Sequence, residues 1–199
     1  MVKRKNSLAV YTKRRNFVKT SEPAPKKTPK KILPKQSNTL PIFTIQEHHA
    51  SHLHWDLRLE IDGVMPSWAL PKGPSLNSKV KRLAVQTEDH PLGYATFEGT
   101  IPAGEYGAGT VMVWDYGTYE NIRRKDGALI PMRQCLQDNR MEFVLYGKKL
   151  HGAFVLIKIK NNWLFFKKND TFASTQDITA TETRSALTNR TIEEIQETS

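Results

Sequence analysis

The chain has 199 residues, a formal net charge of +10 and a single cysteine. This length fits one domain with a hydrophobic core plus terminal segments, and one cysteine excludes an internal disulfide and is typical of a reducing compartment. There is no apolar run that could cross a membrane and no apolar stretch behind the basic start that would mark a secretory signal. We therefore expect a cytoplasmic monomer that does not associate with membranes.

The positive charge is concentrated in an N-terminal arm, residues 1–38. Positions 1–36 hold 12 Lys/Arg and one acid, or +11, which leaves 18 Lys/Arg and 19 Asp/Glu, or −1, for the rest of the chain. Four prolines between positions 23 and 34 predict a flexible segment without regular packing. Such an arm can lie along a polyanion such as nucleic acid, or it can be a solubilising tail without a specific partner.

From about residue 39 the sequence predicts a mainly β fold. Short apolar or alternating runs are interrupted by Gly and Pro, as in antiparallel barrels and sandwiches. We expect a barrel domain at 39–172 and a tail at 173–199 with a short helix that Thr191 caps. Asp62-Gly63 predicts a hairpin turn, and 102–109 a glycine-rich loop. The predicted strands are 41–47, 52–61, 66–71, 82–88, 93–99, 109–114, 117–122, 140–146, 151–159 and 162–167, and a further short helix is predicted at 131–137.

The strand at 52–61 has an unusual polar face. Leu and Trp alternate with His52, His54, Asp56, Arg58 and Glu60, so one face is apolar and the other carries metal-ligand and phosphate-binding groups. A lone His-x-His pair is more often a surface feature than a metal site. Asp56 and Arg58 on the same face favour the metal site over a surface pair. His48 favours it as well, because a bend between the strands would return His48 to this face. Two imidazoles and a carboxylate suit Mn²⁺, Fe²⁺ or Zn²⁺, and the absence of thiolates favours Mn²⁺ without excluding Zn²⁺.

A second polar cluster follows at positions 82–94. Arg82 and Glu88 fall on one face of a predicted strand, His90 follows the strand end, and Tyr94 adds a hydroxyl donor. Alone, Arg82 and Glu88 would be interpreted as a surface ion pair. Beside the first cluster, a histidine kept basic by Glu88 suits a general acid or a phosphate-binding imidazolium.

The spacing His48-x5-His54-x-Asp56-x-Arg58 resembles the 3′-phosphoesterase domain of bacterial DNA ligase D and its stand-alone bacterial and archaeal relatives. The segments at 67–74, 88–94 and 104–111 are similar to that family as well, and the similarity begins near Tyr11. The resemblance implies a compact antiparallel β-barrel. It also implies a Mn²⁺-dependent enzyme that acts on duplex nucleic acid at a 3′ primer end, removing a terminal ribonucleoside and then the 3′-phosphate.

The resemblance also assigns roles to individual residues. It implies that the metal ligands are His48, His54 and Asp56. It implies that the scissile phosphate is held and activated by Arg58 and His90. Supporting roles are implied for Arg82, Glu88, Tyr94, Lys72 and Gln46, and positions near the substrate for Arg15 and Glu22.

One position departs from the family pattern. Members of the family carry Asp after the N-terminal arginine, whereas this chain has Asn16. An amide keeps hydrogen bonding but loses the charge, which puts in question the ribonucleoside-removing step more than the phosphatase step. The competing interpretation is a non-catalytic nucleic-acid-binding barrel that acts as a repair scaffold. A separate DNA ligase, polymerase or Ku-type protein is the partner to be expected in either case.

Overall fold

The computed structural model describes residues 8–25 and 40–199. The predictions for the arm at 1–7 and 26–38 lie outside these residues. In the described part the chain is mainly β, with four short α-helices: α1 (Ala9–Lys13), α2 (Met132–Gln137), α3 (Ile178–Thr181) and α4 (Ile192–Glu197). The strands in chain order are β1 (Ile42–His49), β2 (Leu53–Leu59), β3 (Val64–Met65), β4 (Ser67–Leu70), β5 (Arg82–Gln86), β6 (His90–Pro91), β7 (Gly99–Ile101), β8 (Gly109–Asn121), β9 (Arg124–Lys125), β10 (Ala128–Leu129), β11 (Arg140–Gly147), β12 (His151–Ile159) and β13 (Asn162–Lys167).

Eight of these strands close into an antiparallel barrel, which confirms the predicted fold class. Neighbours follow the order β1-β2-β4-β5-β13-β12-β11-β8, pairing of β8 with β1 closes the ring, and β7 pairs with β8 outside it. The predicted turn after β2 is confirmed: Asp62 and Gly63 have φ of 54° and 81°, as a two-residue hairpin requires at both positions. Ile61 and Val64 form a β-bridge on either side of this turn.

Three predicted strands differ from the structure. Residues 92–96 form a 3-10 helix and only Gly99–Ile101 is a strand. Tyr94 and Ala95 are both fully buried, and consecutive buried residues do not fit the period-two alternation that a half-buried strand shows. The predicted strands 109–114 and 117–122 are a single strand, β8, whose pairing with β1 shifts register between Ile45 and Gln46. The predicted interruption is therefore a β-bulge rather than a turn.

Residues 8–25 and the C-terminal tail pack against the barrel more closely than the sequence indicates. Residues 9–13 of the arm, expected to lack regular structure, form α1, and Tyr11 is fully buried beside Tyr94. In the tail, Ile192 and Ile195 of α4 belong to the main core cluster. The predicted cap of this helix is confirmed, since Thr191 and Glu194 form a capping box. None of the helices in residues 8–25 and 40–199 is long and apolar enough to span a membrane.

Candidate active site

The candidate site lies on the outer face of the barrel wall. Along β2, Trp55, Leu57 and Leu59 belong to the barrel core, so the alternating Asp56 and Arg58 face outward. The residues that cover them come from the N-terminal segment, from 88–94 and from the glycine-rich loop. Together they enclose a cavity of about 290 Å³ lined by Arg15, His48, Ala50, His54, Asp56, Arg58, Ala69, Thr87, Glu88, His90, Tyr94, Ile101, Tyr106 and Gly107.

His48, His54 and Asp56 form a cluster suited to a divalent metal ion. Their ligand atoms lie within 4.8 Å of one another, and β1 and β2 pair so that His48 is directly opposite His54. His48 Nδ1 is 3.9 Å from Asp56 Oδ2, and His54 Nε2 is 3.9 Å from Asp56 Oδ1. These separations suit atoms that share one ion at about 2.1 Å each.

Both imidazoles can offer a ring-nitrogen lone pair to a metal ion. His54 Nδ1 lies 2.9 Å from the carbonyl oxygen of His52, which can only accept, so the proton is on Nδ1 and the lone pair of Nε2 points toward Asp56. Burial lowers the pKa of His48 to about 4 although Asp56 opposes the shift, so its ring is neutral at pH 7. The donor set of His48 Nδ1, His54 Nε2 and the Asp56 carboxylate therefore fits a metal ion.

Arg58 connects the metal cluster to the rest of the site. Its side chain is almost completely buried, and Nη2 donates to Asp56 Oδ2 at 2.9 Å. Nε donates to Gln46 Oε1 at 2.7 Å, and Nη1 donates to Ser67 Oγ at 2.9 Å. The guanidinium carbon lies 4.7 Å from the centroid of the Tyr94 ring. These contacts fix the orientation of the fork and leave part of its five N–H groups for a ligand.

His90 lies between two guanidinium groups. Its Nδ1 is 2.8 Å from Arg58 Nη1, and its Nε2 is 3.3 Å from Arg15 Nη2. Burial, Arg58 and Arg15 together hold the pKa of His90 well below its usual value. The ring is thus neutral in the free protein, whereas the sequence predicted a histidine that Glu88 keeps basic. The reason is that the Glu88 carboxylate binds arginines and not the ring.

The N-terminal segment supplies Arg15, which two carboxylates hold in place. Arg15 Nε donates to Glu22 Oε1 at 2.9 Å and Nη1 donates to Glu88 Oε1 at 2.8 Å, with all three side chains buried. Burial raises the pKa of Glu88, but hydrogen bonds from Arg15 and the backbone and the charges of Arg15 and Arg14 together outweigh burial, so the pKa is lowered overall. The ring of Tyr11 lies under the Arg15 guanidinium, 3.9 Å from its carbon. Glu22 therefore acts on the site through Arg15.

The structure brings together most of the predicted site residues but not all. Gln46 is buried behind Arg58 and Tyr94, while Lys72 is exposed and does not line the cavity. Arg82 also does not line it. It lies on the same side of β5 as Ala84, which faces the core, and the strand ends at Gln86, so the face that Arg82 was predicted to share with Glu88 does not continue that far.

Among the lining and supporting residues that were not predicted, three offer a side-chain hydroxyl. Ser67 bridges Arg58 and His90, Thr87 lines the cavity, and Tyr106 lines it from the glycine-rich loop. The alternation in β4 could have indicated Ser67, because Trp68 beside it is apolar. Asn16, the position that departs from the family pattern, is exposed, and its Oδ1 accepts from the Val18 N–H at 3.2 Å in the turn between Arg15 and Glu22.

Comparison with known proteins agrees with this geometry. Residues 46–158 match the family described as the DNA ligase D 3′-phosphoesterase domain. The chain is 45% identical over 175 residues to the multifunctional non-homologous end joining protein LigD of Pseudomonas aeruginosa, covering 85% of this chain and 19% of that protein. It is 42% identical over 169 residues to the protein of the same name from Mycolicibacterium smegmatis, covering 83% of this chain and 21% of the relative.

The chain thus spans about a fifth of the length of these relatives. The matched region contains the cluster of His48, His54 and Asp56 together with Arg58 and His90. A family match over more than half of the chain agrees with relatives above 40% identity. The chain therefore belongs to the DNA ligase D 3′-phosphoesterase domain family.

Proposed function

We propose that this protein is a Mn²⁺-dependent 3′-phosphoesterase that restores 3′-OH groups at the primer ends of duplex nucleic acid during non-homologous end joining. It removes a 3′-terminal ribonucleoside to leave a 3′-phosphate and then removes the phosphate. The observation that carries the proposal is the cavity itself, in which the cluster of His48, His54 and Asp56 faces Arg58, Arg15 and His90. A ligase, polymerase or Ku-type partner would use the 3′-OH ends.

The two guanidinium groups provide the phosphate site. Hydrolysis of a phosphate ester builds negative charge on the non-bridging oxygens, and an arginine fork held in advance stabilises that charge without rearranging. Arg58 and Arg15 are held in this way by Gln46, Ser67, Glu22 and Glu88. A divalent ion held by His48, His54 and Asp56 would offset negative charge on the phosphate oxygens and lower the pKa of the attacking water.

His90 is placed to move a proton during the reaction. It is neutral because burial and two cations oppose its protonation. A bound phosphate brings negative charge next to both arginines, which offsets their field and raises the pKa of the ring. His90 can then take up a proton and deliver it to the leaving oxygen.

The experiment uses a 5′-labelled primer-template that ends in a 3′-phosphate or in one ribonucleotide. We expect the protein with Mn²⁺ to convert both ends to a 3′-OH that a polymerase can extend. EDTA should stop the conversion, and an excess of Mn²⁺ should restore it. If neither end is processed with Mn²⁺, Mg²⁺ or Zn²⁺, the protein is not a phosphoesterase and the scaffold interpretation replaces it.

Matched histidine variants test the metal cluster. His54→Ala removes a ligand and is expected to abolish both Mn²⁺ binding and turnover, whereas His52→Ala, two residues away with an exposed side chain, keeps both. Arg58→Lys keeps a positive charge beside Asp56 but loses the fork, so Mn²⁺ binding persists and the rate falls by about 100-fold or more. Normal rates in His54→Ala would contradict the assigned site.

Asn16 affects the two steps differently under this proposal. Its amide holds the turn through the Val18 N–H, as an aspartate would, but it cannot take up a proton. We expect ribonucleoside removal to be the slower step, and Asn16→Asp to accelerate it without changing phosphate removal. Equal acceleration of both steps would exclude a specific role of an acid here.

A further inference from the structure

The floor of the cavity is too enclosed to hold a nucleoside. Arg58, His90 and Tyr94 are at most 4% exposed, so the phosphate of a nucleic-acid end can reach them while its sugar and base extend toward the mouth. Whatever lies at the mouth next to the phosphate site contacts the terminal nucleoside. Tyr106 is there, and it is 46% exposed.

The glycine-rich loop is built to present this tyrosine. Residues 102–108 connect β7 to β8, and Gly104 and Gly107 have φ of 87° and 80°, a backbone region that favours glycine. These two residues allow the chain to turn tightly on either side of Tyr106. Gly107 itself lines the cavity beside the metal cluster.

Tyr106 is also held in one orientation before any ligand binds. Its hydroxyl accepts from Arg14 Nη1 at 2.6 Å and donates to Glu88 Oε2 at 3.4 Å. The Arg14 guanidinium carbon lies 4.6 Å from the ring centroid. Glu88 thus connects Tyr106 to Arg15 and the phosphate site, and an aromatic ring fixed in this way loses little conformational entropy on binding.

We propose that Tyr106 is the platform on which the terminal nucleobase of the primer strand stacks. Its position next to the phosphate site rests on the proposed function. Base stacking on an aromatic side chain tolerates every base, so this contact provides affinity for a nucleoside end without sequence preference. Arg14 and Glu88 position the ring.

The test compares a primer-template whose 3′-phosphate is carried by a normal nucleotide with one whose last nucleotide is abasic. Equilibrium binding without metal and steady-state turnover with Mn²⁺ are measured for each end. Tyr106→Leu is expected to raise both Kd and KM for the normal end by about 5- to 100-fold, with kcat unchanged. Tyr106→Phe keeps the ring but loses the hydroxyl that contacts Arg14 and Glu88, so its Kd and KM should fall between those of wild type and Tyr106→Leu. On the abasic end wild type and Tyr106→Leu should coincide.

Tyr146 provides a matched control. It is 39% exposed and donates to Glu120 Oε2 at 2.9 Å on the barrel wall outside the cavity, and Tyr146→Leu should leave binding unchanged. Unchanged Kd in Tyr106→Leu, or an equal loss on normal and abasic ends, would overturn the proposal. Wild-type protein that prefers the normal end but does not turn over would contradict the proposed function while supporting the platform, so the two failures are distinguishable.

Discussion

Gln46 carries no charge, yet it determines where the charged groups of the site lie. Its Oε1 accepts from Arg58 Nε at 2.7 Å, while its Nε2 donates to the carbonyl oxygens of Tyr94 and Phe97 at 3.0 and 2.9 Å. One fully buried amide thus joins the barrel wall to the segment that covers the site. Arg58 and Tyr94 keep their relative positions because of it.

Gln46→Leu should therefore affect both stability and activity. The substitution leaves the Phe97 carbonyl oxygen and the Arg58 Nε–H without their partner, at about 1–3 kcal/mol for each unsatisfied group. The Tyr94 carbonyl oxygen still accepts from the Phe97 N–H at 3.1 Å. We expect the free energy of unfolding to fall by about 2–5 kcal/mol and kcat by at least about 10-fold. Urea unfolding and phosphate release measure the two effects. Gln137→Leu, at an exposed glutamine of α2 outside the cavity, is the control that should change neither beyond error.

Side-chain alternation predicted individual site residues only inside regular strands. It placed Asp56 and Arg58 on one face of β2, and the register of β1 with β2 brings His48 there. For Arg82 the alternation extended beyond the end of β5, so its role in the site stays a prediction from the family resemblance. Arg14 and Tyr106 meet across a separation of 92 residues, and no local pattern encodes such a contact.

At the scale of elements, Asp115 connects the bulged strand β8 to the turn between β11 and β12. Its carboxylate is fully buried and accepts from the N–H groups of Tyr116, Lys148, Lys149 and Leu150. Burial nevertheless raises its pKa to about 6, because these four hydrogen bonds offset only part of the desolvation. The sequence could not predict this role, since an aspartate between two apolar runs resembles an ordinary turn residue.

The raised pKa predicts a specific pH dependence of stability. Between about pH 4 and 6 the folded state keeps a proton on Asp115 that the unfolded state has released. The free energy of unfolding therefore rises as the pH falls from 6 to 4, and this stabilisation is lost above about pH 6. Asp115→Asn should remove this slope, which amounts to up to about 3 kcal/mol. Urea midpoints of wild type and variant from pH 4 to pH 7 measure it. Asp126→Asn, at an exposed turn residue, should retain the wild-type slope, and parallel curves for wild type and Asp115→Asn would refute the assignment.

The C-terminal helix α4 is part of the barrel core rather than an appendage. Ile195 is fully buried there, although the sequence predicted only a short helix in a tail. Ile195→Ala should lower the free energy of unfolding by about 2–5 kcal/mol, the usual cost of removing a buried aliphatic side chain. Ile159 is 50% exposed, and Ile159→Ala should lower the free energy of unfolding far less, as measured by urea or thermal unfolding of both variants. Equal losses would mean that α4 does not pack as the structure shows.

At the scale of the whole molecule, the net positive charge is concentrated in the N-terminal segment. The barrel and tail are close to neutral, whereas residues 1–36 carry +11. The described part of that segment, residues 8–25, covers the site and contributes Arg14 and Arg15 to it. The same stretch of chain that completes the site therefore continues into lysines that can neutralise backbone phosphates.

This arrangement predicts how affinity for duplex ends depends on salt. Each phosphate that a lysine neutralises contributes about 0.9 to the slope of log K against log salt concentration. Replacing the four lysines of residues 26–31 with glutamine should reduce that slope by up to about 3.6, weaken binding at low salt and leave kcat unchanged, because the cavity is intact. A control of equal charge replaces four exposed barrel lysines, Lys79, Lys125, Lys158 and Lys160. If the slope of log K against log salt concentration falls equally in both variants, binding follows net charge alone. A decrease confined to the first variant assigns the phosphate contacts to the arm.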